Sequence, residues 1–248
     1  MEIVGVILGF IGLQPVLALL YERVIRGFGV RRLIDFDSSQ KCRVDIVCTT
    51  GASAPSRWGT SAAHRTLAPE GEVRGLAAVG TALGKWYPRK DFRVEMSARL
   101  ASQCDHDLVV LGGPDANECA RNVLTWPSLA SLVSIDASNS TVRIGGFSEV
   151  NYRHEFVDGR PTRDLCVVIC SRNAWSANSK KRLFCFAGLT TYGTGAAPQL
   201  FLDRIGEKGF DRRQKKAIRK SVVTLMVFSA HFNNGYLQGG RLIHFESH

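Results

Sequence analysis

Three short, continuous apolar runs constrain most strongly what this 248-residue chain can fold into. They are Asp107 to Gly113 (DLVVLGG), Asp164 to Ser171 (DLCVVICS) and Leu183 to Leu189 (LFCFAGL). A run without polar alternation is typical of a strand that is buried on both faces, as in a parallel sheet. Because helical patterns alternate with these runs, the sequence predicts an α/β fold, a Rossmann-like three-layer sandwich with a mostly parallel sheet.

Further elements fit the same alternation of strands and helices. Cys42 to Thr50 and Phe92 to Ser97 predict strands, and Glu72 to Trp86 has the apolar spacing of an amphipathic helix. Gly51 to Gly71 is rich in glycine, proline and serine and predicts a long loop. The remaining predicted elements are helices near Asp115 to Leu124 and Ala196 to Ile205, and an edge hairpin from Val222 to Phe245 around Asn233-Asn234-Gly235.

The N-terminal segment from Ile3 to Tyr21 (IVGVILGFIGLQPVLALLY) has Gln14 as its single strongly polar side chain. At ~1.5 Å per residue a helix of this length reaches roughly 28 Å, which predicts one transmembrane helix before the α/β domain. Arginines that follow it orient the protein with its N-terminus outside and its C-terminal domain in the cytoplasm. These arginines are Arg23, Arg26, Arg31 and Arg32. The competing interpretation is a buried helix of a soluble protein.

The membrane interpretation divides the chain into two parts. Residues 1–32 would be the transmembrane helix with its basic juxtamembrane segment, and residues 33–248 the cytosolic α/β domain. The lipid bilayer would then be a partner of the protein. Gly5 and Gly9 lie one turn apart, a spacing that lets two membrane helices pair closely into a homo-oligomer, although an unpaired helix is the alternative.

The formal net charge of +10 indicates an anionic partner. A second basic cluster, Arg212 to Lys220, predicts an exposed helix, either beside an anionic membrane surface or simply solvated. Because no aromatic side chains alternate with these cations, nucleic acid is the less favoured partner. The seven cysteines form no Cys-x-x-Cys pair, which predicts reduced, mostly buried thiols and no metal site.

Ligands of open parallel sheets bind at the carboxyl ends of the strands, so the loops that follow the predicted strands are the candidate site. Three such loops are Thr49 to Ser53, Gly112 to Glu118 and Gly188 to Gly195. We predict that they bind a small phosphorylated ligand. The candidate ligand-binding residues are Thr50, Gly51, Gly112, Gly113, Pro114, Asn117, Thr191, Gly193, Thr194 and Gly195.

In the second loop, paired glycines permit close backbone approach and precede a helix N-terminus, a combination suited to phosphate or carboxylate. Asp115 and Glu118 have the spacing of a capping box, so their side chains could simply close that helix. The alternative makes them candidate catalytic residues, since a carboxylate beside a bound ligand can act as a base or stabilise a cation.

The third loop has a near match to the dinucleotide fingerprint G-x-G-x-x-G. Gly193 and Gly195 are correctly spaced, but the third glycine and the acidic partner are missing, which disfavours dinucleotide binding. Thr190, Thr191 and Thr194 offer hydroxyl groups to a phosphate. The competing interpretation is a tight turn that needs glycine for its backbone angles.

Two motifs carry a resemblance. DLVVLGGPDANECARNVL together with FCFAGLTTYGTGAA resembles a group of prokaryotic proteins, often of unassigned function and some of them tethered to membranes. That group has G-G-P-x-x-N after a strand and a later G-T-x-A-A, and the resemblance implies a Rossmann-like, nucleotide-related domain without a defined reaction. The positions that match are Gly112, Gly113, Pro114, Asn117, Gly193 and Thr194.

The sequence therefore favours a membrane-anchored sensor or effector that binds a nucleotide or other phosphorylated molecule in prokaryotic signalling or defence. One alternative is an enzyme that hydrolyses the N-glycosidic bond of NAD or a nucleotide, in which Glu118 or Asp115 would stabilise the developing oxocarbenium charge. Another is a non-catalytic membrane scaffold. The sequence identifies no cofactor.

Overall fold

The fold is taken from a computed structural model. It describes residues 27–36, 43–49, 53–55, 64–66, 69–88, 90–96, 104–136, 141–145, 154–206 and 209–248. The apolar segment Ile3 to Tyr21 and the candidate residues Thr50 and Gly51 lie outside the described residues.

Within these residues the chain forms six helices and twelve strands. The helices are α1 (Gly27–Ile34), α2 (Glu70–Trp86), α3 (Glu118–Leu124), α4 (Pro127–Ala130), α5 (Thr191–Gly206) and α6 (Arg212–Lys220). The strands are β1 (Arg43–Cys48), β2 (Ser53–Pro55), β3 (His64–Thr66), β4 (Asp91–Met96), β5 (Asp107–Leu111), β6 (Val133–Asp136), β7 (Thr141–Ile144), β8 (Glu155–Val157), β9 (Arg160–Arg172), β10 (Arg182–Gly188), β11 (Val223–Asn233) and β12 (Tyr236–Ser247).

The central sheet has eight strands in the order β4-β1-β5-β10-β9-β11-β12, with β8 paired to β9. Strands β4, β1, β5 and β10 are parallel, whereas β9, β11 and β12 continue the sheet in antiparallel pairs. The prediction of an α/β fold is confirmed, but the prediction of a mostly parallel sheet is wrong. The apolar run of β9 shows burial on both faces, and burial alone does not determine the direction of a strand.

Helices cover both faces of the sheet and give the domain three layers. One face packs against α1, α2, α5 and α6, with Val30, Val79, Phe201 and Ile218 in the core. The other face packs against α3, α4 and the β6–β7 hairpin. The core residues of that second layer include Val123, Leu129, Ile135 and Val142.

The predicted membrane helix has no counterpart in the described part of the chain. No helix there is long and apolar enough to cross a membrane. The predicted transmembrane helix, and with it the single-pass localisation with a cytoplasmic C-terminal domain, is therefore unsupported, and we withdraw it. The described end of the expected juxtamembrane segment, residues 27–32, packs onto the domain: Val30 is fully buried, and Arg31 Nε donates a hydrogen bond to the carbonyl oxygen of Trp86.

The predicted edge hairpin is confirmed. Strands β11 and β12 are joined by a turn in which Asn234 (φ 52°) and Gly235 (φ 78°) have left-handed backbone angles, as two-residue hairpin turns require. Strand β12 is the last strand of the sheet. Its pairing with β11 is interrupted by two register shifts, between Val227 and Phe228 and between His231 and Phe232.

Candidate functional site

The loops after β5 and β10 meet at one end of the sheet, and Thr49, the residue after β1, lies beside them. A Cβ atom on Gly112 would lie 2.5 Å from Thr49 Oγ1, at the end of β1. A Cβ atom on Gly113 would lie 3.4 Å from the carbonyl oxygen of Gly188, and Gly188 is itself in close contact with Gly193. The convergence follows from the parallel pairing of β1, β5 and β10.

Asn117 holds this end of the sheet together. Its side chain is fully buried, and Nδ2 donates a hydrogen bond of 2.8 Å to the carbonyl oxygen of Leu111. Its Oδ1 accepts a hydrogen bond of 3.1 Å from the backbone N–H of Ala120, which makes Asn117 the N-cap of α3. The hydrogen bonds of Asn117 are thus made within the fold, and ligand binding by its side chain stays a prediction.

Asp115 and Glu118 do not form the capping box that their spacing suggested, because Asn117 caps α3. Both side chains are exposed. Pro114 is half-buried, and its carbonyl oxygen accepts a hydrogen bond of 2.9 Å from Arg121 Nε. Catalysis by Glu118 or Asp115 stays a prediction.

Gly193 and Gly195 of the third loop lack side chains and so allow other segments of the protein to pack closely against this loop. A Cβ atom on Gly193 would lie 2.5 Å from Asp164 Oδ2, and one on Gly195 would overlap the carbonyl oxygen of Gly71. Thr194 is buried and donates its hydroxyl to the carbonyl oxygen of Thr190, whereas Thr191 is exposed. A Gly193→Val substitution would therefore disturb the fold itself. Loss of binding in that variant would not show that Gly193 contacts the ligand.

Asp164 is a buried residue that the sequence analysis missed. Its carboxylate accepts hydrogen bonds from the backbone N–H groups of Leu165 (2.7 Å), Thr190 (3.2 Å) and Gly193 (2.8 Å), and from the Thr190 hydroxyl (2.5 Å). It thereby holds the first turn of α5 against β9. Burial raises the pKa of Asp164 above its ordinary value, although these hydrogen bonds act in the opposite direction. The signal in the sequence is a lone acidic residue at the start of an apolar run.

Glu72 is a second buried acid at the same end of the sheet. Its carboxylate accepts a hydrogen bond of 2.9 Å from the backbone N–H of Thr49 and another from the Thr49 hydroxyl. Burial raises the pKa of Glu72, with the two hydrogen bonds again opposing the shift. Its spacing from Val79 and Leu83 places it on the buried face of α2, which could have been found from the sequence.

We expect Glu72→Gln to be at least as stable as the wild type at pH 7. Glutamine can keep both contacts with Thr49, because its oxygen accepts from the N–H and its NH₂ donates to the hydroxyl. Since the folded pKa of Glu72 is raised, its stabilising contribution is fully present below the ordinary value of 4.5 and is lost as pH rises through the folded pKa. The free energy of unfolding, measured in urea at pH 4 and at pH 7, should rise for the variant relative to the wild type at the higher pH. If the difference in free energy of unfolding between the two proteins were the same at both pH values, Glu72 would not be a buried carboxylate that ionises in this range.

A cavity of about 670 Å³, here named the α2–α5 cleft, lies between helices α2 and α5 and the turn of the β11–β12 hairpin. Small side chains form much of its floor, so the backbones of both helices come close to the open space. Of the predicted ligand-binding residues that the structure describes, Gly195 lines this cleft. The other lining residues include Arg74, Ala77, Ala78, Thr81, Ala82, Lys85, Trp86, Tyr192, Ala196, Gln199, Leu202, Asp203, Phe232, Tyr236 and Leu237.

One arginine and three aromatic rings lie close together at the hairpin end of the cleft. The guanidinium carbon of Arg74 lies 4.9 Å from the centre of the Tyr236 ring, and its Nη1 donates a hydrogen bond of 2.7 Å to the carbonyl oxygen of Gly235. Tyr236 is 64% exposed, and the rings of Tyr192 and Phe232 pack edge to face behind it. At the other end, the indole Nε1 of Trp86 is buried and has no hydrogen-bond partner among the described residues.

The six described cysteines are buried, which confirms that part of the prediction, and none of them is in a disulfide with another described residue. Burial raises the pKa of Cys170 and of Cys185 to about 12, so these thiols are not poised to react. Nowhere in the described ranges do three His, Cys, Asp or Glu side chains come close enough together to bind a metal ion.

Neither the models of known protein families nor the curated proteins give a match to this chain. The resemblance to prokaryotic proteins with G-G-P-x-x-N and G-T-x-A-A motifs therefore stays a prediction. What the chain does has to be inferred from its own cavities and charges.

Proposed function

We propose that this domain binds a nucleotide-like small molecule in the α2–α5 cleft. The observation that carries the proposal is the placement of Arg74 over the ring of Tyr236 at the edge of a cavity of about 670 Å³. Ligand sites in proteins are mostly apolar cavities of roughly 300–1,000 Å³ with a few polar groups that orient the ligand. The α2–α5 cleft has this combination of size and composition.

Each part of a nucleotide finds a matching group in the cleft. The exposed ring of Tyr236 offers a face on which a base can stack. Among the described residues, Arg74 donates one N–H to the Gly235 carbonyl oxygen and one to the Glu70 carboxylate, which leaves three of its five donors for a phosphate. Lys85 lines the cleft as a second cation.

Hydrolysis of the bound nucleotide is the second candidate function. Asp203 lines the cleft, whereas Glu118 and Asp115 do not. A carboxylate in that position is the group that stabilises an oxocarbenium charge during cleavage of an N-glycosidic bond. Turnover of whichever nucleotide binds would distinguish an enzyme from a sensor, and Asp203→Asn should abolish that turnover without abolishing binding.

Thermal unfolding of the full chain with a panel of AMP, ADP, ATP, GTP and NAD tests binding directly. A ligand present at a hundred times its Kd stabilises a protein by about 2.7 kcal/mol. For the nucleotide that stabilises, Tyr236→Ala should weaken binding by about five- to a hundredfold, because stacking of one base is worth ~1–3 kcal/mol.

Two matched variants make the test specific. Phe156→Ala removes another partly exposed aromatic side chain, on β8 and outside the cleft, and should leave the affinity unchanged. Arg74→Gln should weaken binding of the nucleotide about tenfold or more and leave binding of the corresponding nucleoside nearly unchanged. The proposal fails if none of the five nucleotides stabilises the protein, or if Tyr236→Ala binds as tightly as the wild type.

A further inference from the structure

Helix α6 carries five of its six cations on one face. Starting from Arg212, residues at spacings of three and four share a face of an α-helix, and five basic residues follow this pattern. They are Arg212, Lys215, Lys216, Arg219 and Lys220. Ile218 on the opposite side is fully buried in the core, and Asp211 caps the helix in a capping box with Gln214. The orientation of the basic face is therefore fixed by the packing and capping of the helix.

This face forms one wall of a cavity of about 670 Å³, here named the basic groove. Arg32 and Leu33 of α1 form the facing wall, and Ile205 from the end of α5 completes the apolar part of the lining. Arg212, Lys215, Lys216, Arg219 and Lys220 are the α6 residues of this wall. No acidic side chain lines the groove in the part of the chain that the structure describes.

Among the described residues, the six cations of the groove have no carboxylate partner. Over the described ranges, none of them forms a salt bridge, although four other arginines and two histidines pair with Asp or Glu. Like charges that line one cavity repel one another. An anion in the groove would relieve this repulsion.

We propose that the basic groove binds a small polyphosphorylated molecule, at a site separate from the α2–α5 cleft. Arginine guanidinium groups bind phosphate oxygens in bidentate fashion, and lysines add charge without a fixed geometry. The groove is a cavity between two helices, and none of its lining residues in the described part of the chain is aromatic, so these residues offer no stacking surface for single-stranded nucleic acid. The inference does not depend on nucleotide binding in the cleft, because the two cavities share no lining residue.

Calorimetric titration of the full chain with inorganic tripolyphosphate tests the proposal. At constant ionic strength we expect saturable binding of one molecule per chain, at least about tenfold tighter than for orthophosphate, because more of the cations can be engaged at once. Binding should weaken steeply as salt is added, since the contacts are ionic. No saturable binding of tripolyphosphate would overturn the proposal.

A charge-matched pair of variants separates the groove from a general effect of net charge. Lys216→Gln should weaken tripolyphosphate binding about tenfold or more, whereas Arg213→Gln, on the same helix but outside the groove, should change it less than about twofold. Arg219→Gln gives a second groove variant, with thermal unfolding as a check that each variant is folded. Equal losses for Lys216→Gln and Arg213→Gln would overturn the proposal.

Two further measurements identify the class of ligand and the cavity. Tyr236→Ala, in the α2–α5 cleft, should leave tripolyphosphate binding unchanged, so failure of cleft binding and failure of groove binding can be distinguished. Oligothymidylates of 4 to 16 nucleotides should compete weakly and with little dependence on length. Tight competition that strengthens with length would replace the small-molecule site with a nucleic-acid surface and overturn the proposal.

Discussion

Asp164→Ala is expected to lower the free energy of unfolding by about 4 kcal/mol. The carboxylate accepts four hydrogen bonds in a fully buried position, and its removal leaves the N–H groups of Thr190 and Gly193 without their acceptor. Each buried donor that loses its partner costs ~1–3 kcal/mol. Loss of the buried charge offsets part of this cost, which keeps the expected value below the sum of the individual terms.

Urea unfolding followed by circular dichroism measures this change. Asp115→Ala is the matched control, because Asp115 is exposed, and it should change stability by less than about 0.5 kcal/mol. If Asp164→Ala were as stable as Asp115→Ala, the carboxylate would not be holding α5 against β9.

Gly71→Ala should destabilise the protein by about 3 kcal/mol, because a Cβ atom there would overlap the carbonyl oxygen of Thr191 at the start of α5. The obstacle is backbone, so α2 and α5 would have to move apart. Gly80→Ala in the same helix has open space around the new methyl group and should instead stabilise the protein by up to about 1 kcal/mol, through helix propensity. The same unfolding measurement compares the two. Equal effects of the two substitutions would exclude the close packing of α2 on α5.

How far the sequence predicts the fold is shown by β9 and β10. Both runs are correctly predicted as central strands, because continuous apolar residues require burial on both faces. Their antiparallel pairing could not be predicted in the same way, since the burial pattern of a strand is the same in either direction. The turn at Asn234 and Gly235 was predictable because its backbone angles select the residues locally.

The parts of the site that follow from neighbouring strands of the sheet could be predicted. The parts that depend on contacts between segments distant in the sequence could not. The loops that contain Gly113 and Gly188 meet because β5 and β10 are parallel neighbours. Gly195, by contrast, lies against the backbone of Gly71, far away in the sequence. A glycine that permits close approach looks the same in a sequence whether its neighbour is a ligand or another helix.

The α2–α5 cleft was missed because its lining comes from three separate segments. In the structure Ala77 of α2 is exposed and borders the cleft. The sequence does show small side chains on the outer face of α2. They indicate a cavity only when α5 and the hairpin turn at Tyr236 are known to lie beside them.

The two register shifts in the β11–β12 ladder have a consequence for the behaviour of the protein at high concentration. Strand β12 is twelve residues long and forms the edge of the sheet, where its outward backbone groups could pair with a strand of another molecule. Irregular pairing increases the local twist and bends the strand, so a flat, continuous template is not presented. Restoring regular pairing, by deleting the extra residue at either shift, should therefore make the protein more prone to assemble through this edge into ordered aggregates.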